Sequence, residues 1–265
     1  MNRIASAFEN GKAFIAFITC GDPDLATTAA CVRSAVKGGA DLIELGIPFS
    51  DPTAEGPVIQ AANERALKGG VTTDAIFDLV RELRRDVTAP MVFMTYANVV
   101  YSYGIERFCG KCAEVGIDGM ILPDVPFEEK EEFAPACRER GLSFISLVAP
   151  TSENRVAMIA KEAEGFLYIV SSMGVTGVRS EITTDIGAMV KAVRERATIP
   201  CAVGFGISTP KQAADMATLS DGAIVGSAIV RLIAQYGQNA PGQVYTCVKS
   251  MKDALRGQDR TIHQA

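Results

Sequence analysis

The chain has 265 residues, and its hydrophobic content of 48% is enough for the core of a single α/β domain. Its formal net charge is −5 and no block of basic residues occurs, which argues against a nucleic-acid-binding surface. No apolar run reaches the roughly 18 residues that a membrane helix needs, and the first ten residues lack the hydrophobic region of a signal peptide. We therefore expect a cytoplasmic protein.

Short apolar runs recur along the chain, and an amphipathic stretch with a period near 3.6 residues follows each of them. Eight such repeats predict a closed parallel (β/α)8 barrel, a TIM barrel, as a single domain over residues 1–265. An open doubly wound sheet is the alternative, but it usually has a Gly-rich turn after its first strand, which the Thr19-Cys20-Gly21-Asp22-Pro23 run does not match. The predicted strands are 14–19, 42–47, 91–96, 119–122, 144–148, 167–170, 201–204 and 223–225.

The two ends of the chain are predicted to cover this barrel. Residues 1–10 are expected to form a short N-terminal helix that acts as a lid on the bottom of the barrel. Asn239 and Pro241 provide an N-cap and a first helical turn, so we predict an extra C-terminal helix to about residue 256. Residues 257–265 are polar and are expected to be a frayed tail.

Two of the predicted repeats are unusually long. From residue 42 to residue 91 the second repeat spans 49 residues, and from residue 167 to residue 201 the sixth spans 34, whereas the other repeats span 22 to 28. Because the loops after the strands build the active site of a barrel enzyme, functional residues are expected in these two loops.

The seven cysteines are scattered through strand-like and helix-like segments, which indicates reduced, buried thiols. Cys109 and Cys112 have the spacing of a redox pair. However, the surrounding apolar residues Ile105, Phe108 and Val115 follow a helical period, so we predict two core thiols on one helix face.

Carboxylates are the candidate catalytic groups. Glu44 lies inside the apolar run 42–47, where burial is expected to raise its pKa, and Glu55 lies in the loop that follows. The only histidine, His263, is in the tail, and no predicted strand end carries a lysine suited to a Schiff base. We therefore predict no metal site and expect general acid/base catalysis by Glu44 and Glu55.

Residues 44–57 resemble the signature E-L-G-x-P-F-S-D-P-x-A-D-G-P of the tryptophan synthase alpha subunit family. The sequence departs from this pattern at Glu55, where the family usually has Asp. Family-like runs occur in order along the whole chain, at residues 17–23, 96–98, 123–126, 174–177, 204–207 and 226–230.

The resemblance implies a lyase of tryptophan biosynthesis that splits indole-3-glycerol phosphate into indole and glyceraldehyde 3-phosphate. It also implies an alpha-beta-beta-alpha assembly with a beta subunit, which carries pyridoxal phosphate, while this chain needs no cofactor. Glu44 is then expected to transfer protons at the carbon end of the scissile bond, and Glu55 to balance charge at the indole N–H. Because a Glu side chain reaches about 1.5 Å further than Asp, the loop backbone is expected to be withdrawn slightly to suit it.

Further site residues are expected on the same grounds. The ordinary alternatives for them are core packing, turn formation or, for the two acids, a strand-end salt bridge at Glu44 and a solvated loop carboxylate at Glu55. The expected substrate-binding residues are Phe17, Tyr96, Tyr168, Thr176 and Phe205; the phosphate-binding residues are Gly177, Gly206, Gly226 and Ser227; the loop-positioning residue is Asp124; and the partner contacts are Asp51, Asn98 and Pro126.

Two other functions remain open from the sequence. One is a weakly active or non-catalytic regulatory subunit, which only the Asp-to-Glu difference supports. The other is a free-standing indole-releasing lyase of the same fold. Other phosphate-binding barrels fit less well, because indole-glycerol-phosphate synthase needs strand-end lysines and the epimerases use a His-bound metal.

Overall fold

All the strands in the described part of the chain belong to one parallel sheet. The computed structural model describes residues 3–150, 153–170, 186–204 and 206–262, and every strand pairing in these ranges is parallel. The strands are β1 Ala13–Thr19, β2 Leu42–Gly46, β3 Met91–Met94, β4 Gly119–Ile121, β5 Ser143–Phe144, β6 Leu147–Val148, β7 Leu167–Val170, β8 Cys201–Gly204 and β9 Gly222–Val225. Their order across the sheet is β5-β4-β3-β2-β1-β9-β8-β7-β6.

The barrel closes at the segment that was predicted as one strand, 144–148. It consists instead of two short pieces, because the chain changes its pairing partner there. The Ile145 N–H donates to the Met120 oxygen on the β4 side, whereas the Ser146 oxygen accepts from the Tyr168 N–H on the β7 side. The two edges of the sheet are thus consecutive parts of one segment, and the predicted barrel is confirmed.

Helices alternate with the strands, as the 3.6-residue period predicted. Their starts are set locally: Asp24 accepts from the Thr27 N–H at the start of α1, and Thr209 forms a capping box with Gln212 at the start of α9. The helices are α1 Leu25–Gly38, α2 Pro57–Lys68, α3 Thr73–Leu83, α4 Ala97–Tyr103, α5 Ile105–Val115, α6 Ala134–Arg138, α7 Glu153–Lys161, α8 Ile186–Arg194, α9 Pro210–Leu219, α10 Ser227–Tyr236 and α11 Ala240–Ile262, with 3-10 helices at Arg3–Phe8, Phe127–Glu132 and Gly237–Asn239.

The core has an inner and an outer part, separated by the sheet. On β1, Ile15 and Phe17 belong to the cluster inside the barrel, whereas Phe14, Ala16 and Ile18 pack among the helices outside. Both faces are covered, which explains why the strands read as continuous apolar runs rather than as alternating ones. Within the described ranges, no helix is long and apolar enough to cross a membrane.

The two chain ends pack against the barrel. Ile4 of the N-terminal 3-10 helix is buried in the inner cluster, and its Cδ1 approaches Gly119 and Gly165. The C-terminal helix α11 packs against α1 and α9, and it buries Val244 and Val248. It continues to Ile262, beyond the predicted end at residue 256, so residues 257–262 are helical; residues 263–265 lie outside the described ranges.

The length of the second repeat comes from an additional helix, α2, between β2 and α3. Gly56 is its N-cap and Pro57 its first residue, so the helix starts directly after Glu55. Most of the sixth loop, residues 171–185, lies outside the described ranges. Cys109 and Cys112 are both fully buried on α5, which confirms the prediction of core thiols.

Candidate active site

Glu44 is a buried carboxyl group with no counterion in the part of the chain that the structure describes. It is the middle residue of β2, where it pairs with Phe17 on one side and Val92 on the other. Its side chain is 1% exposed, and neither carboxylate oxygen has a hydrogen-bond partner among the described residues. Burial raises the pKa of Glu44 to about 8, and the nearby charge of Glu55 adds to this shift. The expected rise in pKa is confirmed, and Glu44 makes no salt bridge with any described residue.

Glu55 is also buried, at 5% exposure, although it lies in a loop. Its Oε2 accepts a hydrogen bond of 2.8 Å from the Asn63 side-chain amide, and its main-chain oxygen accepts one of 2.7 Å from the Gln60 amide. Burial raises the pKa of Glu55 to about 7, against the opposing effect of the Asn63 hydrogen bond. The alternative of a solvated loop acid is therefore wrong.

Both carboxyl groups line one cavity inside the barrel. The cavity wall is mainly apolar. Its polar groups are the two carboxyl groups and a glycine-rich end formed by Gly206, Gly226 and Ser227. Its wall consists of Phe17, Glu44, Glu55, Ile59, Met94, Tyr168, Gly206, Ile207, Ile224, Gly226 and Ser227.

Two aromatic rings of the cavity wall lie against glycines of neighbouring strands. A Cβ atom on Gly46 would be 2.6 Å from the Phe17 ring, and one on Gly204 would be 2.5 Å from the Tyr168 hydroxyl oxygen. Any larger residue at either glycine would displace a ring. Burial, followed by the charge of Glu44, raises the pKa of Tyr168 well above its usual value, so this phenol stays neutral.

The glycine-rich end of the cavity is formed by residues that follow the last two strands. Gly206 has a φ of 85°, a left-handed conformation that favours glycine. Gly226 is the N-cap of α10 and Ser227 is its first residue. The first N–H groups of a helix have no acceptors within the helix and attract anions. No Lys or Arg is among the described residues that line this cavity; of these residues, the backbone amides, the Ser227 hydroxyl and the helix end are the groups that could hold an anion.

Tyr96 and Asp124 lie close to the site but do not line the cavity in the described part of the chain. The Tyr96 hydroxyl oxygen accepts from the Ala54 N–H at 3.1 Å, beside Glu55, and its ring stacks on Phe49 at 5.2 Å. Both Asp124 carboxylate oxygens accept from the Ala97 N–H, at 3.0 and 3.1 Å, at the start of α4.

The remaining sequence-based candidates divide into two groups. Asp51, Asn98 and Pro126 are exposed in loops or at helix starts that follow β2, β3 and β4, at the same ends of the parallel strands as Gly206 and Gly226 of the cavity wall. Thr176, Gly177 and Phe205 lie outside the described residues.

Sequence reasoning missed five residues of the site: the apolar wall residues Ile59, Met94, Ile207 and Ile224, and the amide of Asn63. An apolar residue that faces a cavity cannot be distinguished by type from one that faces the core. Asn63 did leave a signal, because it is a polar residue on the apolar face of α2.

The arrangement suits proton transfer on an aromatic substrate that carries an anionic group. Both acids have a pKa near neutrality, where a carboxyl group can give and accept protons. Apolar walls suit a flat ring, and the glycine-rich end suits an anion. Within the described residues, no group of three or more His, Cys, Asp or Glu side chains is arranged to hold a metal ion.

Comparison with known proteins adds an independent observation. The family model described as tryptophan synthase alpha chain matches residues 4–256. The chain is 46% identical over 255 residues to the tryptophan synthase alpha chain of Lacticaseibacillus casei, covering 96% of each, and 49% identical over 232 residues to that of Shouchella clausii, covering 87% of this chain and 86% of the relative.

Comparison with solved structures points to the same family. The tryptophan synthase subunit alpha of Legionella pneumophila str. Paris superposes with a TM-score of 0.89 at 36% identity, covering 97% of this chain and 99% of that one. A chain of the tryptophan synthase complex of Pyrococcus furiosus superposes with a TM-score of 0.84 at 33% identity, covering 92% and 99%.

Proposed function

The chain belongs to the tryptophan synthase alpha chain family, and on this basis we propose that it cleaves indole-3-glycerol phosphate into indole and glyceraldehyde 3-phosphate. The observation that carries this proposal is the pair of buried carboxyl groups, Glu44 and Glu55, on one cavity. Each has a pKa raised towards neutrality, and the cavity otherwise offers apolar walls and a glycine-rich end suited to an anion.

The reaction needs neither a metal nor a Schiff base, because the substrate supplies its own electron sink. Protonation of indole C3 by Glu44 converts the ring into an indolenine with a C=N⁺ bond. The resulting Glu44 carboxylate then takes the proton of the C3′ hydroxyl. As the carbonyl forms, the bond between C3 and C3′ breaks, its electron pair restores the indole ring, and Glu44 is again protonated. With a pKa of about 8, Glu44 carries the required proton at neutral pH.

Glu55 is assigned to the nitrogen end of the indole. When ionised, its carboxylate accepts from the ring N–H and balances the positive charge that develops there. A cationic intermediate within about 4 Å lowers the pKa of a carboxyl group, so binding of the activated ring favours the ionised form. Stabilisation that arises only as charge develops speeds the chemical step itself.

The phosphate is assigned to the glycine-rich part of the cavity wall, at Gly206, Gly226 and Ser227. The helix α10 supports this assignment, because its N-terminal amides and the positive end of its dipole favour an anion there. Gly177 and Thr176 of the sixth loop are proposed to cover the substrate, and Phe17, Tyr168 and Phe205 to bind its ring and glycerol chain; Tyr96 and Asp124 would position the surrounding loops.

The chain is further proposed to act as the alpha subunit of a tryptophan synthase, in the cytoplasm. One related structure is described as the α2β2 complex of Pyrococcus furiosus tryptophan synthase. The beta subunit would supply pyridoxal phosphate, and this chain would need no cofactor. Asp51, Asn98 and Pro126 are proposed contacts with that subunit, since they are exposed at the carboxyl ends of the strands, where cavity residues Gly206 and Gly226 also lie.

Indole release tests this function directly. The isolated chain and the chain with a beta subunit are incubated with indole-3-glycerol phosphate, and indole is quantified. Strong stimulation by the partner is the expected result. Full activity of the isolated chain would favour a free-standing lyase, and no indole in either case would favour a regulatory subunit. The Glu44→Gln variant is the control, with an expected loss of at least a hundredfold.

A further inference from the structure

Asn63 places a polar side chain on the buried face of α2. It is 4% exposed and has the fully buried Ala62 and Ala66 as neighbours on the helix. Burying an amide without a partner is costly, so such a residue normally serves a specific hydrogen bond. Here the Nδ2 of Asn63 donates to Oε2 of Glu55 at 2.8 Å.

We propose that Asn63 is a positioning residue that fixes the orientation and the ionisation of the Glu55 carboxylate, and that this pairing lets a glutamate serve at position 55. The proposal rests on the function proposed above for Glu55. It assigns a role to a residue that has no chemistry of its own in the reaction.

The length of the Glu side chain is what makes the pairing possible. Asn63 is six residues after Pro57, so it lies roughly 9 Å along the helix axis from the start of α2. Glu55 precedes the helix, so its side chain must extend along the helix towards Asn63 for the carboxylate to accept the hydrogen bond from the amide. An Asp on the same backbone would end about 1.5 Å short, which would lengthen the 2.8 Å hydrogen bond to roughly 4 Å. The amide of Asn63 can therefore hold a glutamate but not an aspartate.

The helix that carries Asn63 is held firmly in place. Arg65 of α2 makes two hydrogen bonds to Asp22, of 2.8 and 2.7 Å, and Asp22 is 1% exposed in the loop after β1. A bidentate pair of this kind restricts orientation as well as distance. The backbone of Glu55 is also tied to α2, because the side-chain amide of Gln60 donates a hydrogen bond to the main-chain oxygen of Glu55. Both partners of the hydrogen bond are thus attached to the same anchored helix.

The hydrogen bond has a predictable electrostatic effect. Among the described residues, the other titratable groups that influence Glu55 are Glu44 from β2 and Tyr96 after β3, and neither supplies a positive charge. Asn63 is thus the group that favours the ionised form, while burial favours the protonated one. Without the amide, the pKa of Glu55 is expected to rise, and the ionised carboxylate would be scarcer at neutral pH.

The first test is the pH dependence of the Asn63→Leu variant, which keeps a similar side-chain volume, in the complex with the beta subunit. Because the reaction needs ionised Glu55, activity falls at low pH, and this acidic limb should move to higher pH by about one to two units, with kcat at pH 7 reduced about tenfold. Ala66→Gly is the matched control, since it loosens the same buried helix face without touching Glu55. It should leave the acidic limb in place.

A second test does not depend on turnover. The Glu55 carboxyl carbon is titrated by ¹³C NMR in protein labelled with [δ-¹³C]glutamate and is assigned with the Glu55→Gln variant. Asn63→Leu, or Asn63→Ala if the leucine variant folds poorly, should titrate at higher pH than the wild type. An unchanged Glu55 titration overturns the inference. A wild type that releases no indole, with or without partner, overturns the proposed function, while the titration still decides whether Asn63 controls Glu55.

The pairing also predicts non-additive effects. Asn63→Leu alone should reduce kcat about tenfold. In a protein that already carries Glu55→Asp, the hydrogen bond is broken, so adding Asn63→Leu should reduce kcat by less than about threefold further. Fully multiplicative losses would show that the two residues act independently, which would overturn the proposed pairing.

Discussion

Replacement of Glu44 by glutamine should stabilise the folded protein relative to the wild type, and this advantage should grow as the pH rises. Glutamine has nearly the same shape but cannot ionise, and the buried Glu44 carboxyl has no partner among the described residues to compensate a charge. Its pKa rises from an ordinary value of 4.5 to about 8 on folding. The protonated folded form therefore contributes stability that is complete below pH 4.5 and is lost as the pH rises towards 8.

The size of this effect follows from the pKa difference. Each unit corresponds to about 1.4 kcal/mol, so the full shift between 4.5 and 8 is worth on the order of 5 kcal/mol. Between about pH 5.5 and about pH 8.5, the advantage of Glu44→Gln over the wild type should grow by about 3 kcal/mol in the free energy of unfolding. Glu55 is present in both proteins, so its own titration largely cancels in the comparison.

Urea unfolding at these two pH values measures the difference. Far-UV circular dichroism is the appropriate signal, because the chain contains no tryptophan. The matched control is Glu64→Gln, the same substitution at an exposed position of α2, whose pKa is lowered by Lys68 rather than raised. An advantage of Glu44→Gln that is the same at both pH values would refute the reasoning, since it would show that Glu44 is not destabilised by its own charge.

Three further outcomes are expected. Glu55→Asp should lower indole release by about a hundredfold, because the carboxylate retracts by about 1.5 Å; a several-fold gain would contradict this. Ser227→Asp should raise KM for the phosphorylated substrate at least tenfold, as measured by initial rates, with folding stability preserved because an acid suits the first turn of a helix. Asp124→Ala should lower the free energy of unfolding by about 1 kcal/mol in urea titrations, since it removes the acceptor of the Ala97 N–H, whereas Asp124→Asn should retain most of it.

Most of the architecture follows from local sequence. The strand around Leu42 and the helix face of Ile76 and Val80 are readable because apolar periodicity reports which surfaces a segment must bury. The length of the second repeat likewise located the loop that holds Glu55. The split strand at Ile145 and Ser146 was not readable, because a change of pairing partner depends on residues far away in the chain.

The sequence by itself determined the residue types of the site: two carboxyl groups, one in an apolar strand and one in a long loop, and glycines after the last strands. Only the tertiary structure decided that Glu44 has no hydrogen-bond partner among the described residues, that Glu55 is buried, and that Asn63 donates a hydrogen bond to Glu55. The reason is physical. The pKa of a side chain depends on its burial and its hydrogen bonds. Both are determined by neighbouring residues that barrel closure brings together from distant parts of the chain, and the local sequence pattern does not reveal which residues these are.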